Sequence, residues 1–80
     1  MKKYSEQSLI DLGAGIRSAR EARGYSQDEF ASLCDLHRTY IGSIERGERN
    51  FSILNLLKIT RALDVSVGEL FRGEKTSDQE

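Results

Sequence analysis

The chain of 80 residues contains no proline, no tryptophan, one cysteine and one histidine. Each shortage closes off a class of protein. Cys34 alone cannot form an internal disulfide, which fits a reducing compartment and gives a cytoplasmic location as the expectation. Cys34 and His37 together cannot close a four-ligand zinc site, so neither a metal nor another cofactor is expected. No stretch approaches the roughly 20 consecutive apolar residues of a membrane helix. Lys2 and Lys3 have no apolar run behind them, so this end of the chain does not read as a signal peptide. Neither sign of charge dominates, with 12 basic against 13 acidic side chains and a net charge of −1. Residues 69–80 carry −2 of this, leaving +1 elsewhere, which is no basic field. A nucleic-acid-binding domain is expected to be basic, so bulk charge alone identifies no partner.

Strand-period alternation, internal repeats and glycine-rich linkers are also missing. No paired carboxylates, nucleophile–base set or phosphate loop stands out, and an enzyme is not expected. What is present is 38% hydrophobic and 31% charged residues, an ordinary globular balance. A chain this short makes one domain and buries only somewhat over ~60% of its unfolded surface, so a partner chain would help it.

The punctuation is helical. Leu9, Leu12, Ile16, Ala19 and Arg23 recur at three- and four-residue steps, and Gly24 supplies a left-handed stop. Gly13 and Gly15 weaken this first helix by ~1 kcal/mol each if they lie inside it, which leaves its start open. Ser26 and Glu29 form a capping box, with Tyr25 and Phe30 as its hydrophobic staple, so a second helix runs from Ser26 to about Cys34. Asp35-Leu36-His37 is a tight turn, and a third helix covers about Arg38–Arg46, stopped by Gly47. Ser52 caps a fourth helix carrying Ile53, Leu56, Leu57, Ile59 and Leu63. Ser66 and Glu69 repeat the capping box for a short fifth helix ending near Arg72-Gly73, with Val65 and Leu70 as staple. The expectation is an all-α, compact five-helix domain over residues 8–73, with a flexible stretch at 1–7 and a disordered polar tail at 74–80.

Helix, three-residue turn, helix over residues 26–46 is a helix-turn-helix. In that arrangement the second helix enters the DNA major groove while the first crosses the backbone. On the third helix, Arg38, Thr39, Ser43 and Arg46 form the stripe facing DNA, because Ile41 and Ile44 point the other way. Arg38 is the leading candidate for base reading, since arginine matches guanine O6 and N7 with two parallel hydrogen bonds. The bland alternative is a solvated surface arginine. Gly42 on this face fits a close approach to DNA or a neutral accident. His37 serves as a cap or a phosphate contact. Cys34 reads as a buried, inert thiol.

The string Ser26-Gln27-Asp28-Glu29-Phe30-Ala31, then Arg38 through Asn50, then Leu56-Leu57-Lys58-Ile59 and Ala62 through Ser66 resembles the repressor/Cro-type (XRE-like) helix-turn-helix family. The likeness covers about residues 9–71, and its Arg38-Thr39-Tyr40, Ile44-Glu45-Arg46 and Arg49-Asn50 look most like the controller proteins of restriction–modification systems. Two positions depart from the pattern: Phe51 replaces the usual loop proline, and Asp64 replaces the usual glycine before Val65. The resemblance implies a phosphate contact for Gln27, Arg49 and Asn50, and a base or backbone contact for Tyr40. It also implies a structural ion pair between Arg20 and Glu45. Against these stand plainer readings: an exposed polar Gln27, a Tyr40 that merely packs, and an Arg49 paired with Glu45 at i,i+4.

The resemblance further implies a homodimer formed through the C-terminal region, with Leu54, Val67, Leu70 and Phe71 at the interface. The alternative is that they complete the monomer core. The expected function is a homodimeric, sequence-specific transcriptional regulator of double-stranded DNA reading a palindromic operator, with no small-molecule ligand. Asp28 and Glu29 are candidates for a contact with RNA polymerase, their capping role being the simpler account. Two other readings remain open. One is an antitoxin with a toxin-binding surface near Phe51, Leu54 and Phe71; the other is a protein-interaction module that has lost DNA binding.

Overall fold

Local hydrogen bonds decide where the helices begin. The Ser26 hydroxyl accepts from the Glu29 amide at 3.0 Å, and the Glu29 carboxylate accepts from the Ser26 amide at 2.8 Å. The Tyr25 and Phe30 rings stack above this box with centroids 6.3 Å apart. Ser52 caps the next long helix by accepting from the Asn55 amide at 3.1 Å. Ser66 and Glu69 repeat the reciprocal box at 2.9 and 3.2 Å.

The computed structural model describes residues 2–71, with side chains from residue 6 onward. The chain forms α1 (Lys2–Ala22), α2 (Gln27–Cys34), α3 (Arg38–Glu45) and α4 (Ile53–Leu63). Residues 67–71 are helical too and are termed α5. Among the described residues there is no strand. The all-α architecture with five helices is the expected one. The end of the fifth helix at Arg72-Gly73 and the tail at 74–80 lie outside the described residues. Helix α1 starts at Lys2, well before the apolar period that begins at Leu9. Helix α3 ends at Glu45, with Arg46 as its C-cap.

Two helices stop on aspartate in the left-handed region, Asp35 at φ 59° after α2 and Asp64 at φ 60° after α4. Asp64 therefore does the work of the glycine it replaces, at the small cost aspartate pays there.

Ile16, Phe30, Ile41, Ile44, Ile59 and Leu63 are the large side chains sealed in the core, so α1, α2, α3 and α4 each contribute. Leu70 of α5 closes it and is only 4% exposed. Phe51, in the loop before α4, packs half-buried against this cluster. The glycines in α1 now have a reason. A Cβ on Gly13 would overlap the backbone carbonyls of Ile44 and Glu45, and one on Gly15 would overlap that of Leu70. Helix α1 thus lies directly on the backbone at the end of α3 and on α5. The propensity cost of ~1 kcal/mol per glycine is offset by this close approach. No helix among the described residues is long and apolar enough to cross a membrane.

Candidate nucleic-acid interface

The turn Asp35–His37 sets α2 and α3 against each other, and one buried carboxylate ties both to α1. Glu45 accepts from Arg20 Nε at 2.7 Å, from Arg20 Nη2 at 3.1 Å and from Gln27 Nε2 at 3.0 Å. Arg20 Nη1 donates to the Tyr25 carbonyl at 2.8 Å, which anchors the loop before α2. The ion-paired side chains are 9% and 2% exposed, so this is an interior pair with its fork satisfied. Hydrogen bonding to Glu45 raises the Arg20 pKa above its ordinary value, against the pull of burial. The expected Arg20–Glu45 pair is present. Its extension to Gln27 is a link that no local spacing announces.

That extension fixes Gln27 at the first position of α2, half-exposed beside α3, with one amide hydrogen spent on Glu45 and the other free. Gly42 lies buried under Gln27 and Arg46. A Cβ there would press only on Arg46 Nη1, at 3.3 Å, the flexible end of a side chain.

The outer face of α3 is narrower than the sequence suggests. Arg38 and Thr39 are exposed in its first turn, and Arg46 is exposed at its end, opposite the buried Ile41 and Ile44. Ser43 does not belong to this face. It is 7% exposed, and its hydroxyl donates to the Tyr40 carbonyl at 2.8 Å, so neither its position nor its proton is available to a base. The stripe drawn from helical spacing missed this because spacing along α3 carries no record of which positions the rest of the chain buries. Arg38 Nε lies 3.3 Å from Asp28 Oδ1 of α2, and Arg46 Nε lies 3.0 Å from Glu48 Oε2, both pairs well exposed.

Tyr40 is half-buried and packs against the core. Its hydroxyl accepts from Asn55 Nδ2 of α4 at 2.9 Å, and the Arg49 guanidinium stacks over its ring at 5.2 Å. Arg49 is therefore held by an aromatic face. Its alternative pairing with Glu45 is ruled out, because that carboxylate is buried and occupied by Arg20 and Gln27. Asn50 follows Arg49, exposed in the same loop. His37 is the N-cap residue of α3, exposed, and makes no side-chain cap bond. Gln27, Arg38, Thr39, Arg46, Arg49, Asn50 and His37 thus remain accessible around α3 and its flanking loops. Sequence reasoning missed Asp28 as the partner of Arg38 and Asn55 as the partner of the Tyr40 hydroxyl, since both arrive from other helices.

A family model for the helix-turn-helix matches residues 16–70, the greater part of the chain. The chain belongs to the helix-turn-helix family. Its relatives in this family include the control protein C.MunI of a Mycoplasma species, 48% identical over 63 residues that cover 78% of this chain and 85% of that protein. The control protein C.SmaI of Serratia marcescens is 44% identical over 59 residues, covering 74% of this chain and 70% of that one. Among solved structures, the restriction-modification controller protein C.AhdI from Aeromonas hydrophila aligns with a TM-score of 0.77 at 45% identity. That alignment covers 81% of this chain and 98% of C.AhdI. The matched span runs from Ile16 to Leu70 and so contains every residue of the candidate interface.

This helix-turn-helix protein also carries exposed apolar side chains on α2 and α4. Leu33 at the end of α2 is 55% exposed, and Ile53, Leu54 and Leu57 of α4 are 74%, 63% and 46% exposed. Leu33, Leu54, Leu57, Lys58 and Arg61 line a groove between these two helices. Of the four residues assigned to a dimer interface, Leu54 is open, and Val67 and Phe71 are half-buried. Leu70 is withdrawn from that set, because α5 turns it into the core beneath Gly15 of α1. A capping box fixes where α5 begins but not which of its apolar side chains faces inward.

Proposed function

We propose that the chain is a sequence-specific transcription regulator that binds double-stranded DNA as a homodimer and reads a palindromic operator through the major groove. The observation that carries this reading is the two-sided character of α3. Ile41 and Ile44 are sealed in the core while Arg38, Thr39 and Arg46 are exposed on the other side, beside a Gln27 fixed by Glu45. In this reading Arg38 pairs with guanine, Thr39 offers a hydroxyl and a methyl, and Arg46 reaches a base edge or the adjoining backbone. Gln27, His37, Arg49 and Asn50 bind phosphates on either side, and Tyr40 acts by holding Arg49 over its ring.

A slightly acidic chain needs more contacts than one site supplies, and a two-fold dimer doubles them. Leu54, extended by the exposed Ile53 and Leu57, is the surface assigned to that dimer, together with the half-buried Val67 and Phe71. It sets two copies of α3 about 34 Å apart, one turn of DNA. The relatedness to control proteins C.MunI and C.SmaI and to the restriction-modification controller protein C.AhdI supports a role as the controller of a restriction–modification system, and we assign that role to the cytoplasm. Contact with RNA polymerase through the start of α2 belongs to the same reading. Charge reversal at Glu29 combined with a reporter assay tests it, with a thermal melt to register the loss of its capping bond to the Ser26 amide: lost activation with fold and operator binding retained supports the contact, and activation left intact while operator binding persists overturns it.

Binding titrations over a range of salt test the division of labour. Arg38→Ala relaxes sequence preference by 1–3 kcal/mol, about five- to 150-fold, at the guanine it faces. Arg49→Ala instead weakens binding to all sequences and flattens the slope of log K against log salt by about one. Identical behaviour of the two variants overturns the assignment.

A further inference from the structure

We infer that Asp28 is a specificity-determining positioning residue that aims the Arg38 guanidinium at guanine; the inference rests on the DNA-reading role of α3 proposed above. The observation is the ion pair across the turn, with Asp28 Oδ1 of α2 3.3 Å from Arg38 Nε of α3. The capping box at the start of α2 uses Ser26 and Glu29, whose carboxylate turns back to the Ser26 amide. Asp28 is not part of that exchange and turns to Arg38 instead.

The atom it pairs with matters. Bidentate recognition of guanine uses two parallel N–H groups of the guanidinium, which offers five donors in a rigid planar fork. A carboxylate seated on the Nε side leaves the terminal Nη1 and Nη2 edge for the base and removes rotamers in which the fork swings away. In the free protein this pair is exposed, 61% at Arg38 and 78% at Asp28, and contributes little to stability. Inside a groove, where water is displaced, the same pair holds the arginine in one orientation and penalises any base that cannot accept from it.

Asp28 also brings a cost that makes the inference testable. A carboxylate at the DNA face is repelled by phosphates on every sequence, so it weakens non-specific binding while sharpening specific binding. Removing its charge moves the two affinities in opposite directions. A residue that only complements the α2 dipole would move both together. One that accepted directly from cytosine N4 would act without Arg38.

The test measures binding of the full chain to two duplexes by fluorescence anisotropy at fixed salt. One is the site that the wild-type protein selects from a random pool; the other is unrelated in sequence. Asp28→Asn is expected to bind the unrelated duplex more tightly and the selected site more weakly, reducing their ratio about tenfold, within the range of one bidentate contact. In an Arg38→Ala background the same substitution should tighten both duplexes equally and leave the ratio unchanged. Because Asp28 and Arg38 are exposed, all variants are expected to fold, which a thermal melt checks. An unchanged ratio in Asp28→Asn, with wild type still selective, overturns the inference and leaves the DNA-reading role standing. A ratio that still falls in the Arg38→Ala background also overturns it, assigning Asp28 to base contact. A wild-type protein with no preference between duplexes overturns both the role and the inference.

Discussion

Glu45 is the residue on which the interface hangs. Its carboxylate accepts three hydrogen bonds from Arg20 and Gln27 in a setting where its side chain is 2% exposed. Removing one partner leaves the other charge buried and alone. Arg20→Ala should therefore cost about 3–5 kcal/mol in urea unfolding. Glu48→Ala, which breaks an exposed pair with Arg46, should cost no more than about 1 kcal/mol. Comparable losses from the two would contradict the placement of Arg20. Cys34 gives a pH signature of its own. Burial among apolar neighbours pushes its thiol up to about 11, against an ordinary value of 9.0. The folded chain then keeps a proton that the unfolded chain releases, so the stability associated with this group is intact below pH 9 and declines between pH 9 and about 11. Cys34→Ala should remove that part of the decline, and the native thiol should resist alkylation near neutral pH.

At the scale of elements, what can be read in sequence is what is encoded within four or five residues. Both capping boxes, the Tyr25–Phe30 staple, the Ser52 cap and the glycine stops are of this kind, and they placed α2, α3, α4 and the start of α5. Contacts between helices were not legible. Gly13 and Gly15 read only as costs, because the backbone they admit belongs to α3 and α5. Ser43 read as exposed, because spacing along α3 carries no record of what covers it. Leu70 had two destinations, partner or core, and only packing chose between them. Gly13→Ala separates local from tertiary logic. Helix propensity alone predicts a gain of ~1 kcal/mol, whereas overlap with the Ile44 and Glu45 carbonyls predicts a net loss of about 1–3 kcal/mol. A loss on thermal or chemical unfolding is expected; a gain would mean that α1 does not lie against α3 as described.

For the whole molecule, the proposed function is divided between two surfaces: a polar one around Arg38 and Gln27, and an apolar one around Leu54. The residues of the polar surface were legible by type and position, but the partners that orient them, Asp28 for Arg38 and Tyr40 for Arg49, were not. They come from positions with no fixed spacing to the residues they serve. The apolar surface yields its own prediction. Leu54 is exposed in the monomer, so Leu54→Glu should leave the folded monomer standing while driving the dimer apart in sedimentation, with operator affinity falling by a factor of ten or more. A variant that still sediments as the dimer would move the interface elsewhere. The central claim, that α3 of this helix-turn-helix protein reads a specific operator in a two-fold assembly, is tested most directly by selecting sites from a random duplex library at physiological salt and sequencing them. The account predicts a palindrome whose half-site centres lie about 10–11 bp apart, with a guanine that loses enrichment when Arg38→Ala is used instead. Absence of any enriched sequence from a folded, dimeric protein would contradict it.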